Sequence, residues 1–188
     1  TMATAALLEA ERYDAVLVAV GAAPIIPPIP GLDRAVPATA LYGKEDTASG
    51  KVVVIGGGQV GCETAFYLAR LGKDVTIVEM CDRLAPDASP THRAELMQEM
   101  EKMSHLKIAV NLRCMQVTGN TVEGQVADGS IRSLPADTVV LAAGMRARTD
   151  VVDALLYTAP YVFPIGDCVR AATVEQAMQA AYTAAHCL

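Results

Sequence analysis

The sequence has no tryptophan, and its aromatic residues are limited to six tyrosines and two phenylalanines in 188 residues. Basic side chains are not in excess either, because 15 Lys and Arg stand against 21 Asp and Glu, for a net charge of −6. Proteins that bind nucleic acids combine basic patches with aromatic side chains that stack on bases. The composition therefore argues against a nucleic-acid groove, and the negative charge argues against an anionic membrane surface as the partner.

Long hydrophobic runs are also missing. The longest uncharged candidate, residues 15–32, contains two glycines and four prolines, so it cannot form a membrane-spanning helix of about 18 residues. No secretory signal pattern is present. Cysteines are never closer than 19 residues, so C-x-x-C zinc and redox motifs are excluded. We expect a cytoplasmic protein whose five reduced cysteines mostly fill the core.

Short apolar runs alternate with longer stretches of helical period, which is typical of an α/β fold. Strands are predicted at 15–20, 52–55, 75–78 and 138–143, and helices at 3–11, 59–71 and 89–103. In the helix at 59–71 the residues predicted to face the sheet are Gly61, Ala65, Leu68 and Ala69. Ser89 is predicted to cap the helix that follows it, and the apolar stripe of that helix is expected in the core: Leu96, Met97, Met100 and Met103.

Residues 22–50 are predicted to be an irregular crossing segment. Residues 107–135 are predicted to be an antiparallel meander of three or four strands with turns at Gly119-Asn120 and Asp128-Gly129. A capping box opens a last helix at Thr173. The predicted buried side chains of this helix are Val174, Ala177, Met178, Ala181 and Ala185.

A glycine motif follows the strand at 52–55. Gly56, Gly58 and Gly61 fit G-x-G-x-x-G, and a helix begins inside the motif. The first glycine allows a tight turn, the second lets a pyrophosphate approach the backbone, and the third lets helix and strand pack closely. The N-terminus of the helix offers N–H groups and a positive dipole to phosphates. We therefore predict that the loop, including Gly57, Gln59 and Val60, binds a dinucleotide.

An acidic residue lies where such a site binds ribose. Glu79 ends the next strand, 23 residues after Gly56, and is predicted to accept hydrogen bonds from the adenosine ribose. Its carboxylate would repel a 2′-phosphate, so NAD(H) is favoured over NADP(H). Arg83, four residues after Glu79, is a nearby argument for NADP(H). It could instead line the adenine side or be solvated. Met80, next to Glu79, is also a candidate residue for binding NAD(H).

An internal repeat is also present. Residues 14–21 match residues 137–144 in character at each position, from a leading aspartate to a final glycine. Two buried strands can resemble each other by chance, but the shared Asp, Ala and Gly favour duplication. The repeat suggests two nucleotide-binding units, of which one has its phosphate loop in this chain.

The order of motifs resembles that of the pyridine nucleotide–disulfide oxidoreductase superfamily, the flavoproteins with two dinucleotide folds. The resemblance is carried by Tyr13–Gly21, Pro28–Gly31, Gly56–Glu63 and Gly166–Cys168. Residues 166–173 are most similar to the C-terminal FAD/NAD(P)-binding region of Old Yellow Enzyme-like flavin oxidoreductases, the 2-enoate reductase and 2,4-dienoyl-CoA reductase group. This resemblance implies a Rossmann-like FAD/NAD(P)-binding fold with a parallel sheet, helices and a small antiparallel meander.

The resemblance also implies a division of the chain. Residues 1–49 would be a partial FAD-binding domain with a crossing segment, 50–149 the NAD(H)-binding domain, and 150–188 the C-terminal piece of the FAD-binding domain. Glu63 would contact the nicotinamide end of NAD(H), although an ion-paired surface role is an equal alternative. Ala143 and Gly144 would pass close to the nicotinamide riboside. The residues implied to contact FAD in the intact parent are Gly21, Gly166 and Asp167.

The first glycine motif of the superfamily is absent, as are the flavin-bearing barrel and the cluster-binding cysteines. We therefore expect a fragment that binds NAD(H) and is inactive alone. In the parent, NADH would pass hydride to FAD, for reduction of an activated C=C bond of enoate or enoyl type. Because the cofactors carry this chemistry, no catalytic residue and no metal ligand is predicted. The alternatives are a non-catalytic NAD(H)-binding or sensing module and an S-adenosylmethionine-dependent transferase.

Overall fold

A computed structural model describes all 188 residues of the chain. It contains six α-helices: α1 (Ala5–Glu11), α2 (Ala38–Leu41), α3 (Gln59–Arg70), α4 (Pro90–Glu101), α5 (Thr149–Leu155) and α6 (Val174–Ala185). It also contains twelve strands: β1 (Ala15–Val18), β2 (Ala22–Pro24), β3 (Val36–Pro37), β4 (Lys51–Ile55), β5 (Asp74–Val78), β6 (Leu106–Ala109), β7 (Leu112–Thr118), β8 (Thr121–Val126), β9 (Ile131–Pro135), β10 (Thr138–Leu141), β11 (Met145–Ala147) and β12 (Tyr161–Pro164).

The chain divides into two compact units. The central unit is Ile26–Gly144, and the terminal unit combines Thr1–Ile25 with Met145–Leu188. Residues 26–49, which the sequence analysis grouped with the N-terminal piece, belong to the central unit, and residues 145–149 belong to the terminal unit.

The central unit is built on a five-stranded parallel sheet in the order β3-β10-β4-β5-β6. Parallel sheets are covered on both faces, and the continuous Val and Ile runs of β4 and β5 suit that burial. One face packs against α3 and α4, and the other against a three-stranded antiparallel sheet of β7, β8 and β9. The predicted inner side of α3 is confirmed, since Gly61, Ala65, Leu68 and Ala69 are buried.

The predicted meander was partly wrong. Its turns at Gly119-Asn120 and Asp128-Gly129 connect β7 to β8 and β8 to β9, as predicted. The preceding strand β6 instead pairs in parallel with β5 at the edge of the main sheet. The chain then reverses near Asn111, whose φ is +53°. A short apolar run does not distinguish a parallel edge strand from an antiparallel one.

The crossing segment is more regular than predicted. Residues 22–50 contain β2, β3 and α2, together with two short 3-10 turns. Strand β3 is only two residues long, yet it pairs with β10 and forms one edge of the main sheet. Strands of this length carry no detectable periodicity, so the sequence pattern does not reveal them.

The terminal unit has a smaller core, formed by Leu8, Val18, Val152, Leu155 and Cys168. Its strands form two separate pairs, β1 with β12 in parallel and β2 with β11 antiparallel. The capping box that opens α6 is confirmed. The predicted buried face of that helix is wrong, because Val174 is 80 % and Met178 is 66 % exposed and only Ala184 is buried. The periodicity is present, but no element of the terminal unit covers that face.

The cysteines are all free. Cys62, Cys114 and Cys168 are buried, as predicted for core residues, whereas Cys81 and Cys187 are exposed. No helix combines the length and the apolar character that crossing a membrane would require.

Candidate dinucleotide-binding site

The glycine loop joins β4 to α3 at the centre of the main sheet. Gly56 has φ +107°, and a Cβ there would collide with the carbonyl of Ala142 just after β10. A Cβ on Gly61 would lie closer to the Gly56 carbonyl oxygen than real Cβ atoms do. These contacts explain why the turn needs glycine first and why the helix needs glycine where it crosses the strand.

The two middle glycines differ from each other. A Cβ on Gly57 would collide with the side chain of Leu84, so Gly57 faces inward. Gly58 is the N-cap of α3, and a Cβ there would meet only the carboxylate of Asp87, at 3.5 Å. The face of Gly58 is therefore closed by one exposed side chain rather than by the core, which leaves room for a ligand to approach the backbone.

A buried thiol forms a hydrogen bond with the backbone of the glycine loop. Cys62 Sγ donates a hydrogen bond to the Gly57 carbonyl oxygen at 3.3 Å. Burial raises the pKa of the Cys62 thiol to about 11, so it stays protonated and can donate at neutral pH. Cys62 was predicted only to fill the core, and its contact with the loop was not predicted.

Glu79 is fixed against the same loop. Its Oε2 accepts a hydrogen bond from Gly57 N at 2.6 Å, and its Oε1 accepts one from Cys81 N at 2.7 Å. A carboxylate can accept about four hydrogen bonds, so both oxygens keep capacity for hydroxyl donors. Glu79 follows β5 and is half-buried, whereas Met80 and Arg83 are exposed. Arg83 forms no ion pair in the structure.

Glu63 lies on the second turn of α3 and is paired. Its Oε1 accepts a hydrogen bond from Gln59 Nε2 at 2.9 Å and lies 2.7 Å from His92 Nε2 on α4. A paired position on the helix surface was the alternative role left open for Glu63. The partner, His92, was not predicted from the sequence. The two residues are 29 positions apart, so no local pattern connects them.

The candidates Ala143 and Gly144 follow β10, which is paired with the strand that precedes the glycine loop. Parallel pairing places Leu141 opposite Ile55, so Ala142 and Ala143 follow β10 beside Gly56. Gly144 ends the repeat with φ +98°. In the central unit the structure thus brings together the glycine loop, Glu79 and Ala143. Val60, on the first turn of α3, is 44 % exposed.

The candidates in the terminal unit lie at the corresponding ends of its parallel strands. Gly21 follows β1 with φ +72°, and Gly166 follows β12 with φ +66°. Asp167 Oδ1 accepts a hydrogen bond from Ala172 N at 3.2 Å. Ligands of open α/β sheets bind outside the carboxyl ends of the strands, which is where these three residues are found.

Comparison with known proteins now identifies the family. The family described as pyridine nucleotide-disulphide oxidoreductase matches residues 6–185. The chain belongs to this family. The match confirms the predicted Rossmann-like fold and superfamily, and it supports the predicted cofactors of the family, FAD and NAD(H).

Individual relatives agree with this family. The chain is 40 % identical to bilirubin reductase of Mediterraneibacter gnavus over 99 % of its own length and 29 % of the relative's. It is 32 % identical to cinnamate reductase of Clostridium sporogenes, covering 92 % of this chain and 26 % of the relative. A solved 2-naphthoyl-CoA reductase superposes with a TM-score of 0.88 and 30 % identity, covering 98 % of this chain and 28 % of that one. The chain therefore spans less than a third of these three proteins.

Proposed function

We propose that the central unit binds NAD(H) and that, within a longer flavoprotein, it delivers reducing equivalents from NADH to FAD. The observation that carries the proposal is the loop at the start of α3. There Gly58 and the N–H of Gln59 are covered only by the exposed side chain of Asp87, and the N–H of the neighbouring Gly57 holds the carboxylate of Glu79. This set suits a pyrophosphate joined to a ribose.

The role of this chain's own residues would be to bind and orient NAD(H). The N–H groups at the start of α3 would receive the pyrophosphate, because they carry the positive end of the helix dipole. Glu79 would accept hydrogen bonds from the ribose hydroxyls and repel a 2′-phosphate, which favours NAD(H). Met80 and Arg83, both exposed, would flank the adenosine. Ala143 and Gly144, and Glu63 through its position on α3, would lie toward the nicotinamide.

When bound, NADH would supply a hydride to FAD, and the residues of this chain would hold and orient the nicotinamide. Such a transfer needs alignment of two rings and no protein acid or base, so we assign no catalytic residue. In the terminal unit, Gly21, Gly166 and Asp167 would contact FAD together with the remainder of the flavoprotein. The similarity to a cinnamate reductase and a 2-naphthoyl-CoA reductase favours an activated C=C bond of enoate or enoyl type as the final electron acceptor.

Calorimetric titration of the folded chain tests the proposal. We expect NADH to bind, NADPH to bind more weakly, and S-adenosylmethionine not to bind. Absence of heat with millimolar NADH on a folded sample would overturn the proposal. Binding of S-adenosylmethionine in preference to NADH would favour the transferase alternative instead.

A second assay separates electron transfer from a non-catalytic NAD(H)-binding module. The chain, or a longer flavoprotein that contains it, is supplied with FAD, NADH and an electron-accepting dye. NADH-dependent reduction of the dye supports electron transfer. NADH binding without dye reduction in the longer flavoprotein would favour the binding module.

A further inference from the structure

The carboxylate of Asp87 lies at the N-terminus of α3. Its Oδ1 accepts a hydrogen bond from Gln59 N at 2.7 Å, and both its oxygens lie 3.5 Å from the place of a Cβ on Gly58. Gln59 is the first residue of α3, so its N–H has no partner within the helix and is available to an anion. In this chain an internal anion uses that N–H.

We propose that Asp87 occupies the phosphate position of the dinucleotide site and that a bound dinucleotide must displace it. This inference rests on the proposed function. A carboxylate and a phosphate are both negative, and they would compete for the same N–H and the same end of the helix dipole. Asp87 therefore lowers the affinity of the site for dinucleotides and stabilises the loop while the site is free.

The surrounding segment allows such an exchange without a large rearrangement. Ala85 N donates to the Gly57 carbonyl at 2.7 Å, and Arg93 Nε donates to the Leu84 carbonyl at 2.7 Å. Leu84 and Ala85 are buried, whereas Asp87, two residues further, is exposed. The segment is thus anchored before Asp87, and the carboxylate can leave by rotation of its own side chain.

No cationic side chain holds Asp87 in place. The contacts between carboxylates and basic side chains in the structure are Glu63 with His92 and Glu99 with Lys102. Asp87 is therefore retained at the helix by backbone hydrogen bonding, a contact that a pyrophosphate can replace directly.

The proposal predicts an unusual pair of effects. Removing the charge of Asp87 should make the ligand-free chain less stable, because the helix N-terminus loses its anion. The same change should make NADH bind more tightly, because nothing repels the pyrophosphate. A purely structural residue would lower both quantities, and a residue that contacts the ligand favourably would lower the affinity.

The test compares Asp87→Asn with a matched control, Asp128→Asn. Asp128 Oδ1 accepts a hydrogen bond from Ser130 N at 2.8 Å in an exposed turn, so the control removes the same charge from a similar backbone contact away from the loop. Asp87→Ser serves as a second neutral variant if Asp87→Asn does not fold. The affinity for NADH is measured by titration, and the ligand-free Tm by thermal unfolding.

We expect the Asp87 variant to bind NADH about three- to tenfold more tightly than the wild type, with a lower ligand-free Tm. We expect the Asp128 variant to keep the wild-type affinity. Unchanged or weaker NADH binding by folded Asp87 variants, with a wild type that binds, would overturn the inference alone. If neither wild type nor variants bind NADH, the proposed function fails as well.

Discussion

The two units use similar strands and surround them differently. Strands β1 and β10 are the two copies of the internal repeat, and each is followed by a glycine of positive φ. Strand β10 lies between β3 and β4, whereas β1 pairs only with β12. Leu17 on β1 is 44 % exposed, and Val140, at the matching position of β10, is fully buried. The same apolar pattern therefore specifies a strand in both places, but only neighbouring elements bury it.

The difference extends to the rest of each unit. The central unit buries both faces of its sheet, and its glycine motif is complete. The terminal unit leaves Tyr157, Val174 and Met178 largely exposed. Exposed apolar surface of this kind marks regions that pack against something else or associate. The central unit is the part of the chain in which both faces of the sheet are covered by elements of the unit itself.

The largest effect is expected from Gly61→Ala, compared with Gly58→Ala. A Cβ at position 61 meets the Gly56 backbone, which cannot move without disturbing β4, so we expect a loss of about 3 kcal/mol in the stability of the central unit. A Cβ at position 58 meets only Asp87, so this variant should fold and lose NADH affinity. Thermal unfolding and NADH titration measure the two effects. A Gly61→Ala protein with wild-type Tm would show that helix and strand are not in close contact.

Next in size is Glu79→Arg. This change removes the partner of Gly57 N and the proposed acceptor for the ribose, and it places a cation there instead. We expect NADH affinity to fall about tenfold or more and the preference to move toward NADPH. Direct titration with both nucleotides measures this change, and Asp128→Asn controls for altered charge. Unchanged selectivity would show that Glu79 does not contact the ribose.

A third effect concerns the units directly. Backbone amides of β4, in the central unit, should exchange hydrogen about tenfold or more slowly than those of β1, because β1 has one paired neighbour and a small core. NADH should slow exchange further around the glycine loop. Peptide-resolved hydrogen exchange with and without NADH provides the measurement. Equal protection of β1 and β4 in the free chain would contradict the contrast between the units.

Local patterns predicted most of what depends on neighbours in sequence. The cap of α4 at Ser89, the capping box of α6 and the inner face of α3 were all correctly predicted, because each involves residues within a few turns of one another. The contacts of Asp87 and His92 with the start of α3 were not predicted. They span 28 and 29 residues and depend on where the segment after β5 returns to the loop.

The prediction of which helix residues are buried was wrong in part, for a related reason. The apolar stripe of α4 was expected in the core, and Leu96 and Met100 are buried there. The stripe of α6 has the same helical period, yet Val174 and Met178 are exposed. Periodicity shows which face of a helix would be buried, and only the presence of a covering element decides whether it is.

The smallest effect expected is on the reactivity of one thiol in the central unit, with a thiol of the terminal unit as reference. The hydrogen bond and the charge of the Glu79 carboxylate raise the pKa of Cys81 above its ordinary value, so less thiolate is present at pH 8. Glu79→Gln removes the charge and should lower that pKa, so Cys81 should be alkylated about two- to fivefold faster.

Cys187 is exposed in the terminal unit and should react at an unchanged rate. Buried Cys62 should stay unmodified in both proteins, because its pKa of about 11 leaves it protonated. Mass spectrometry of peptides alkylated for increasing times gives the three rates. Equal Cys81 rates in wild type and variant would mean that the Glu79 carboxylate does not lie against Cys81 in solution, and its placement beside Gly57 would then need revision as well.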